Sequence, residues 1–370
     1  MCGIFGYWDR RAQALDAGTL TAMARSIVHR GPDDEGVWHP SQRGVAVGNR
    51  RLSIIDLAGG HQPFVSDDGA IAVVQNGEIF NHVELADELC AQGVKLATHS
   101  DTEVILRLYE REGIACLKRL NGMFAIAIDD AREDALYLAR DRIGVKPLYV
   151  HDDGTRVLFA SEIKSLLPVL KARGAMPKVD LEAVHHYLAF NYIPAPWTIW
   201  QGVKHVMPGT WMKFTRAGAP QVRRWWSLAD QREQDHDFGA WQEEFLSILD
   251  DATRIRLRAD VPWGAFLSGG VDSSTIVALM ARQAMGASSP MGGPLAVSIV
   301  ATWPIPPSWP KKRQQAAQWK SSKPDADNVA KAIGDGCNGV VWADDSQIVD
   351  LRCVKRYGQI PGVVVEVCAA

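Results

Sequence analysis

Short apolar runs closed by polar clusters fill the first part of the chain, and helix-period stripes follow further on. Residues 71–74 form one such run, ended by Gln75-Asn76-Gly77-Glu78, the pattern of a strand that opens into a polar loop. Residues 179–182 open a helix through Tyr187-Leu188, and Tyr192-Ile193-Pro194-Ala195-Pro196 breaks it. Trp241, Phe245, Ile248, Leu249, Ala252 and Ile255 recur at helical spacing, which predicts an amphipathic helix over 240–258 with its stripe in a core. A buried strand is expected over 263–267, a glycine-rich turn after it, and an apolar helix from Thr275 to about Ala284. The Gly/Pro-rich stretch 285–294 reads as a junction. A strand over 295–302, a basic loop carrying Lys311, Lys312, Arg313, Lys320 and Lys323, and a second apolar run ended by Asp344-Asp345 complete the chain.

Whole-chain quantities narrow the class. A length of 370 residues suits two or three domains, and 47% hydrophobic with 22% charged residues describes an ordinary globular protein. The net charge of −3 gives no global reason for nucleic-acid or membrane binding. Six scattered cysteines without a CxxC pair argue against a disulfide framework or a zinc site and suit a reducing cytoplasm. Asp9-Arg10-Arg11 interrupts the first apolar stretch, so no signal peptide is expected, and no apolar run approaches a membrane span.

Cys2 carries the most specific chemistry. Methionine aminopeptidases remove Met1 before a small residue, which would leave a thiol and a free α-amine on one residue. That pair is a nucleophile with its own proton acceptor attached. The polar clusters supply matching parts: 29–34 (HRGPDD), 51–56 (RLSIID), 75–81 (QNGEIFN) and 100–103 (SDTE). Asn76-Gly77 offers a side-chain amide and an unobstructed N–H for an oxyanion. Arg51 can fork onto a carboxylate, while Asp101 and Glu78 can hold an ammonium. Together they suit a zwitterionic amino acid with a cleavable side-chain amide.

On these residues, together with 141–149 (DRIGVKPLY) and 159–164 (FASEIK), the chain from 1 to about 165 resembles the glutaminase domain of class II, N-terminal-nucleophile glutamine amidotransferases of the asparagine synthetase branch. The resemblance implies that Cys2 attacks the glutamine amide and that Asn76 and the Gly77 N–H hold the oxyanion. It also implies that Arg51 binds the α-carboxylate and that Asp101 with Glu78 binds the α-amine.

A strand, a glycine-rich turn and a helix point backbone N–H groups at phosphate. The turn here is Ser268-Gly269-Gly270-Val271-Asp272-Ser273-Ser274, without the GxxxxGK[ST] of a P-loop. It resembles the pyrophosphate loop of ATP pyrophosphatases, the synthetase half of asparagine synthetases. That implies ATP binding by Ser268, Gly269, Gly270, Asp272, Ser273 and Ser274, with magnesium at Asp272, and amidation of aspartate through an adenylate. The residues after this loop do not align with a synthetase continuation, so the synthetase half reads as truncated. Glutamine hydrolysis needs nothing beyond about residue 165.

In the tail, Asp325 and Asp327 flank one residue, which on an extended segment would turn both carboxylates the same way. All ten histidines lie at or before His236, so nothing there suggests zinc, whereas clustered carboxylates suit Mg²⁺. Short Asp clusters are otherwise helix caps and turns. The segments 323–333 and 338–356 resemble RusA-type Holliday-junction resolvases. The resemblance implies metal binding by Asp325, Asp327 and Asp345, a catalytic Lys331, branched DNA as substrate and a dimer as the working form. From 303 onward nine Lys/Arg face seven Asp/Glu, a weak balance for a DNA binder.

The expected fold class is α/β and α+β multidomain. It comprises an αββα sandwich over 1–170, a partial ATP-pyrophosphatase α/β domain over 178–285 and a small α+β RusA-like module over 286–370. The expected cofactors are ATP and Mg²⁺, and the expected partners are glutamine, aspartate, ATP and branched DNA, with no membrane and a homodimer as the assembly. No shared pathway connects the two chemistries, so the chain reads as a gene fusion, non-functional or bifunctional.

Overall fold

Strand β1 (Gly3–Asp9) is buried along its whole length, so both of its faces need cover. The computed structural model describes residues 2–40, 42–231, 236–262, 264–265, 271–285, 290–306, 308–322, 325–338, 341–358 and 362–370. The chain divides into two units, Met1–Asp235 and His236–Ala370.

In the first unit β1 is followed by α1 (Ala17–Ser26), β2 (Asp34–Trp38), β3 (Val45–Arg51), β4 (Phe64–Val65), β5 (Ile71–Ile79), α2 (His82–Ala91) and α3 (Asp101–Glu112). Then come β6 (Gly122–Asp130), β7 (Ala135–Arg140), β8 (Tyr149–Asp152), β9 (Arg156–Ala160), α4 (Leu167–Ala172) and α5 (Leu181–Phe190). β10 (Val203–His205), β11 (Thr210–Thr215) and β12 (Gln221–Arg224) close the unit. Two six-stranded antiparallel sheets result, in the orders β10-β8-β9-β1-β3-β2 and β12-β11-β7-β6-β5-β4. Residues 203–224 thus add strands to both sheets of the first unit.

Period-two alternation places the layers. On β1, Ile4 and Trp8 enter the core between the sheets, while Phe5 and Tyr7 pack under α1 and α4. On β6, Ala125 and Ala127 face the opposing sheet, while Phe124, Ile126 and Ile128 pack against α3. On β6 the small residues thus face the other sheet and the large ones the helix, while larger side chains such as Trp8 and Phe159 fill the layer between the sheets. Within its own sheet Gly6 leaves room for both neighbouring strands: a Cβ there would lie 2.2 Å from the Phe159 ring on β9 and 2.5 Å from the Ala46 carbonyl oxygen on β3. The order helix, sheet, sheet, helix is the αββα sandwich expected for this part of the chain.

The second unit holds α6 (Phe238–Arg256), α7 (Val271–Met285), β13 (Leu295–Pro304), α8 (Lys311–Gln315), α9 (Ala326–Cys337), β14 (Ile348–Gly358) and β15 (Gly362–Ala369). Its sheet runs β14-β13-β15, with β13 parallel to β14 and antiparallel to β15. Leu295, Val297 and Ile299 pack on Ile333, Cys337 and Trp342, so α9 covers one face. The mixed sheet and its helix make the α+β module.

Two expectations need correction or restriction. The helix over 240–258 forms as α6, but its stripe is not core: Trp241, Phe245 and Ile248 are exposed and only Ile255 of the six is buried. Helical spacing identifies a face, not what covers it, and the covering sheet of a complete α/β domain is missing among the described residues. Of the strand expected over 263–267, Trp263, Phe266 and Leu267 lie outside the described residues, while Gly264 and Ala265 are exposed and outside any strand. No helix among the described residues is long and apolar enough to cross a membrane.

Asp129, fully buried on β6, reports on the inter-sheet layer. Burial pushes its carboxyl up to about 6 against the pull of Arg43, whose Nη2 lies 3.0 Å away. The folded state therefore keeps this proton to higher pH than the unfolded chain does. Between pH about 4 and about 6 it binds more protons, and stability falls as pH rises. Asp129→Asn should abolish that fall. Its thermal midpoint, followed by circular dichroism, is expected to gain on wild type steadily across the window. Parallel pH slopes for the two proteins would contradict a proton held on Asp129.

Candidate active site

Cys2 sits one residue before β1, so the pairing of that strand fixes where its thiol lies. The thiol sulfur accepts a hydrogen bond from the Leu52 N–H at 3.4 Å and faces the Leu52 carbonyl at 3.6 Å. The Arg30 Nε donates to the Cys2 carbonyl at 2.8 Å, and Glu162 holds Arg30 in turn at 3.2 Å. Burial pushes the Cys2 thiol up. The Leu52 N–H and the positive chain terminus pull it down, Asp101 raises it and Arg51 lowers it.

The opposite wall comes from β5. Asn76 is completely buried and pairs across the sheet with Ala125, and Gly77 pairs with Phe124. Only glycine fits at 77, because a Cβ would lie 2.0 Å from the Met123 carbonyl oxygen. The Asn76 Nδ2 donates to Ser161 Oγ at 3.2 Å.

Arg51 ends β3 and is buried. Its Nη2 donates to the carbonyls of Ile55 and Asp56, both at 2.7 Å, which fixes the guanidinium and wraps the following loop around it. A Cβ at Gly60 would come within 2.1 Å of that Nη2, so the loop closes on the arginine only through a glycine. Asp101 starts α3 behind the N-cap Ser100. It accepts from Gln75 Nε2 at 3.0 Å and from the Ile79 N–H at 2.9 Å. Burial raises its carboxyl, and the Ile79 N–H, His82 and Gln75 lower it.

Cys2, Arg51, Asn76, Gly77, Glu78 and Asp101 line one cavity of ≈ 120 Å³. That is well below the ~300–1,000 Å³ of drug-sized pockets, so it suits a small polar molecule. All six residues singled out in the sequence for this half are thus brought together. Lys146 was missed as a lining residue although its motif was noticed. It is buried in the same wall, and burial lowers its ammonium while the Cys2 charge raises it. The Asp141 carboxylate holds that loop by accepting from the N–H groups of Val145 at 2.9 Å and Lys146 at 3.0 Å. Gln75 belongs to the same polar cluster as Asn76, but its bond to Asp101, 26 residues away in the chain, is not legible there.

Of the loop expected to bind ATP, Ser268, Gly269 and Gly270 lie outside the described residues, and Asp272, Ser273 and Ser274 stand in the first turn of α7.

In the second unit Asp327 and Lys331, one helical turn apart on α9, share a cavity with Asp345 from the turn before β14. The Trp342 Nε1 donates to Asp345 Oδ1 at 2.6 Å. Asp325 does not line this cavity. It is the N-cap of α9, and the helix begins at Ala326. The expectation that Asp325 and Asp327 share one side of an extended segment is therefore corrected: a helix start falls between them. Among the described residues no three His, Cys, Asp or Glu groups converge as a metal cluster. Two carboxylates still fit Mg²⁺, which binds through one or two protein oxygens and keeps several waters.

Comparison with known proteins accords with both halves. The glutamine amidotransferase domain family model matches residues 1–226, and the endodeoxyribonuclease RusA model matches residues 271–368. Asparagine synthetase [glutamine-hydrolyzing] 1 of Bacillus subtilis (strain 168) is 38% identical over 282 residues, covering 75% of this chain and 44% of that protein. Asparagine synthetase [glutamine-hydrolyzing] 3 of the same organism is 36% identical over 287 residues, covering 76% of this chain and 45% of that one. The chain spans about half the length of the curated relatives it matches. A solved structure of the allosteric regulatory enzyme of purine biosynthesis aligns with 83% of this chain and 61% of its own, at 19% identity and a TM-score of 0.47. The first model covers more than half of the 370 residues, and the chain belongs to the glutamine amidotransferase domain family, with a RusA segment toward its C-terminal end.

Proposed function

We propose that the first unit hydrolyses the side-chain amide of glutamine at Cys2. The observation that carries this reading is the single cavity shared by Cys2, Arg51, Asn76, Gly77, Glu78 and Asp101. With Met1 removed, the α-amine of Cys2 takes the thiol proton while sulfur attacks the amide carbon. The Asn76 Nδ2 and the Gly77 N–H stabilise the oxyanion of the tetrahedral intermediate. Its collapse breaks the carbon–nitrogen bond, and the amine returns its proton to the departing ammonia. Water then hydrolyses the thioester to glutamate. Arg51, already anchored on two carbonyls, offers its remaining N–H groups to the α-carboxylate. A bound ammonium would relieve the desolvated Asp101 carboxylate, with Glu78 beside it.

In this reading residues 1–170, with the strands over 203–224 that complete both sheets, form the glutaminase domain, and the rest of 178–285 is a synthetase remnant. Ser268 to Ser274 would hold the pyrophosphate of ATP, with Mg²⁺ at Asp272, and ATP would supply activation of a carboxylate such as that of aspartate. The RusA match from residue 271 replaces the rest of a synthetase domain, which favours release of free ammonia over asparagine formation. All six cysteines are free, in keeping with a cytoplasmic location.

A second activity is favoured by the cavity that joins Asp327, Lys331 and Asp345. Asp327 and Asp345 would hold Mg²⁺, which supplies Lewis-acid activation of a phosphodiester, and Lys331 would neutralise charge on the branched DNA backbone. The exposed Val363, Val364 and Val365 on the edge strand β15 offer a pairing edge for a homodimer.

Purified protein should release ammonia from glutamine, and Cys2→Ala should lower the rate by about 10³-fold or more. Equal release by both would end the glutaminase reading. Arg51→Lys should raise KM for glutamine by about tenfold with kcat little changed, because a point charge replaces a fork. An unchanged KM would remove Arg51 from the carboxylate site. Four-way DNA junctions should be cut in Mg²⁺ by wild type and not by Asp327→Asn, whose ammonia release stays intact. Cutting that persists in the variant would exclude this site as the nuclease.

A further inference from the structure

We propose that Ser161 is a positioning residue that orients the Asn76 carboxamide toward the oxyanion and thereby sets kcat rather than glutamine binding. The inference rests on Cys2 being the glutaminase nucleophile.

Ser161 directly follows β9. Its N–H donates to the Ile4 carbonyl at 2.8 Å, and its Oγ accepts from the Ile4 N–H at 3.0 Å and from Asn76 Nδ2 at 3.2 Å. Ile4 lies two residues beyond the nucleophile on β1, in one sheet, whereas Asn76 lies on β5 in the other. A single oxygen atom therefore ties the nucleophile's strand to the oxyanion amide across the layer between the sheets. Both Ser161 and Asn76 are fully buried, so water does not substitute for either partner.

The two ends of a carboxamide have nearly the same shape, and hydrogen bonds alone distinguish them. Asn76 Oδ1 has no partner among the described residues. The Ser161 Oγ accepts from both the Ile4 N–H and Nδ2, the arrangement that turns Nδ2 toward the serine. One of the two Nδ2 hydrogens is spent on Ser161, and the other remains for the substrate oxygen. Without the hydroxyl, the amide can turn over about its last torsion. It would then present an oxygen to the developing oxyanion and replace attraction with repulsion. Ground-state glutamine, held at its α-carboxylate and α-amine, would scarcely register the change. The loss belongs to the transition state.

Ser161→Ala should lower kcat for ammonia release about 10- to 100-fold, less than the ~10²–10³ that deletion of an oxyanion donor costs, with KM within about twofold. Alkylation of Cys2 by iodoacetamide develops no oxyanion, so its rate should stay within about twofold of wild type. Ser161→Thr keeps an acceptor oxygen and should restore kcat. If the alanine variant fails to fold, Ser161→Cys keeps the shape with a poor acceptor and should show the same kcat loss. A wild-type kcat in the variant lacking the hydroxyl would overturn the proposal. So would alkylation that falls in step with kcat, since Ser161 would then act through Ile4 and the nucleophile. A folded Ser161→Thr as slow as Ser161→Ala would count equally against it. Failure of the glutaminase reading shows elsewhere, as wild-type ammonia release no faster than that of Cys2→Ala.

Discussion

The pairing of β1 between β3 and β9 is the constraint on which the first unit depends. A strand buried on both faces has no freedom to slide, because a one-residue slip would exchange Ile4 and Trp8 with Phe5 and Tyr7. Cys2 stands one residue upstream and inherits that rigidity. A thiol on a residue flanking a strand would ordinarily lose much conformational freedom on binding a small molecule. Here the sheet, the Arg30 contact to the Cys2 carbonyl and the Leu52 backbone have already ordered it. Packing in the core and geometry at the thiol are one problem solved by the same strand.

The groups around the thiol come from four separate stretches of chain, and each is held by contacts that the sequence motifs do not spell out. Arg51 is set by two carbonyls and a glycine, Asp101 by Gln75 and an N–H, and Asn76 by Ser161. That division explains what could be read in advance. Residues with distinctive chemistry fell in compact motifs and were legible as a set. Ser161, Gln75 and Lys146 act through space, across elements whose register sequence alone does not supply. The layered sandwich was legible because resemblance covered it, whereas the inward alanines of β6 came only with the structure.

The misreadings have equally specific causes. Six apolar residues at helical spacing made α6 legible as a helix, but spacing carries no information on whether a partner element is present. At Asp325 the two-residue spacing was read with strand geometry, although an Asp before a helix-period run is also an N-cap signal. Asp325 takes the N-cap position without a side-chain capping hydrogen bond, outside the cavity that Asp327 and Asp345 share.

The ridge of Trp241, Phe245 and Ile248 on α6 bears on the fate of the chain in a cell. Adjacent aromatic and branched side chains open to water are what chaperones grip and quality-control proteases recognise in unfinished proteins. The abundance of this polypeptide would then be governed by that surveillance, whatever the stability of the sandwich that precedes it.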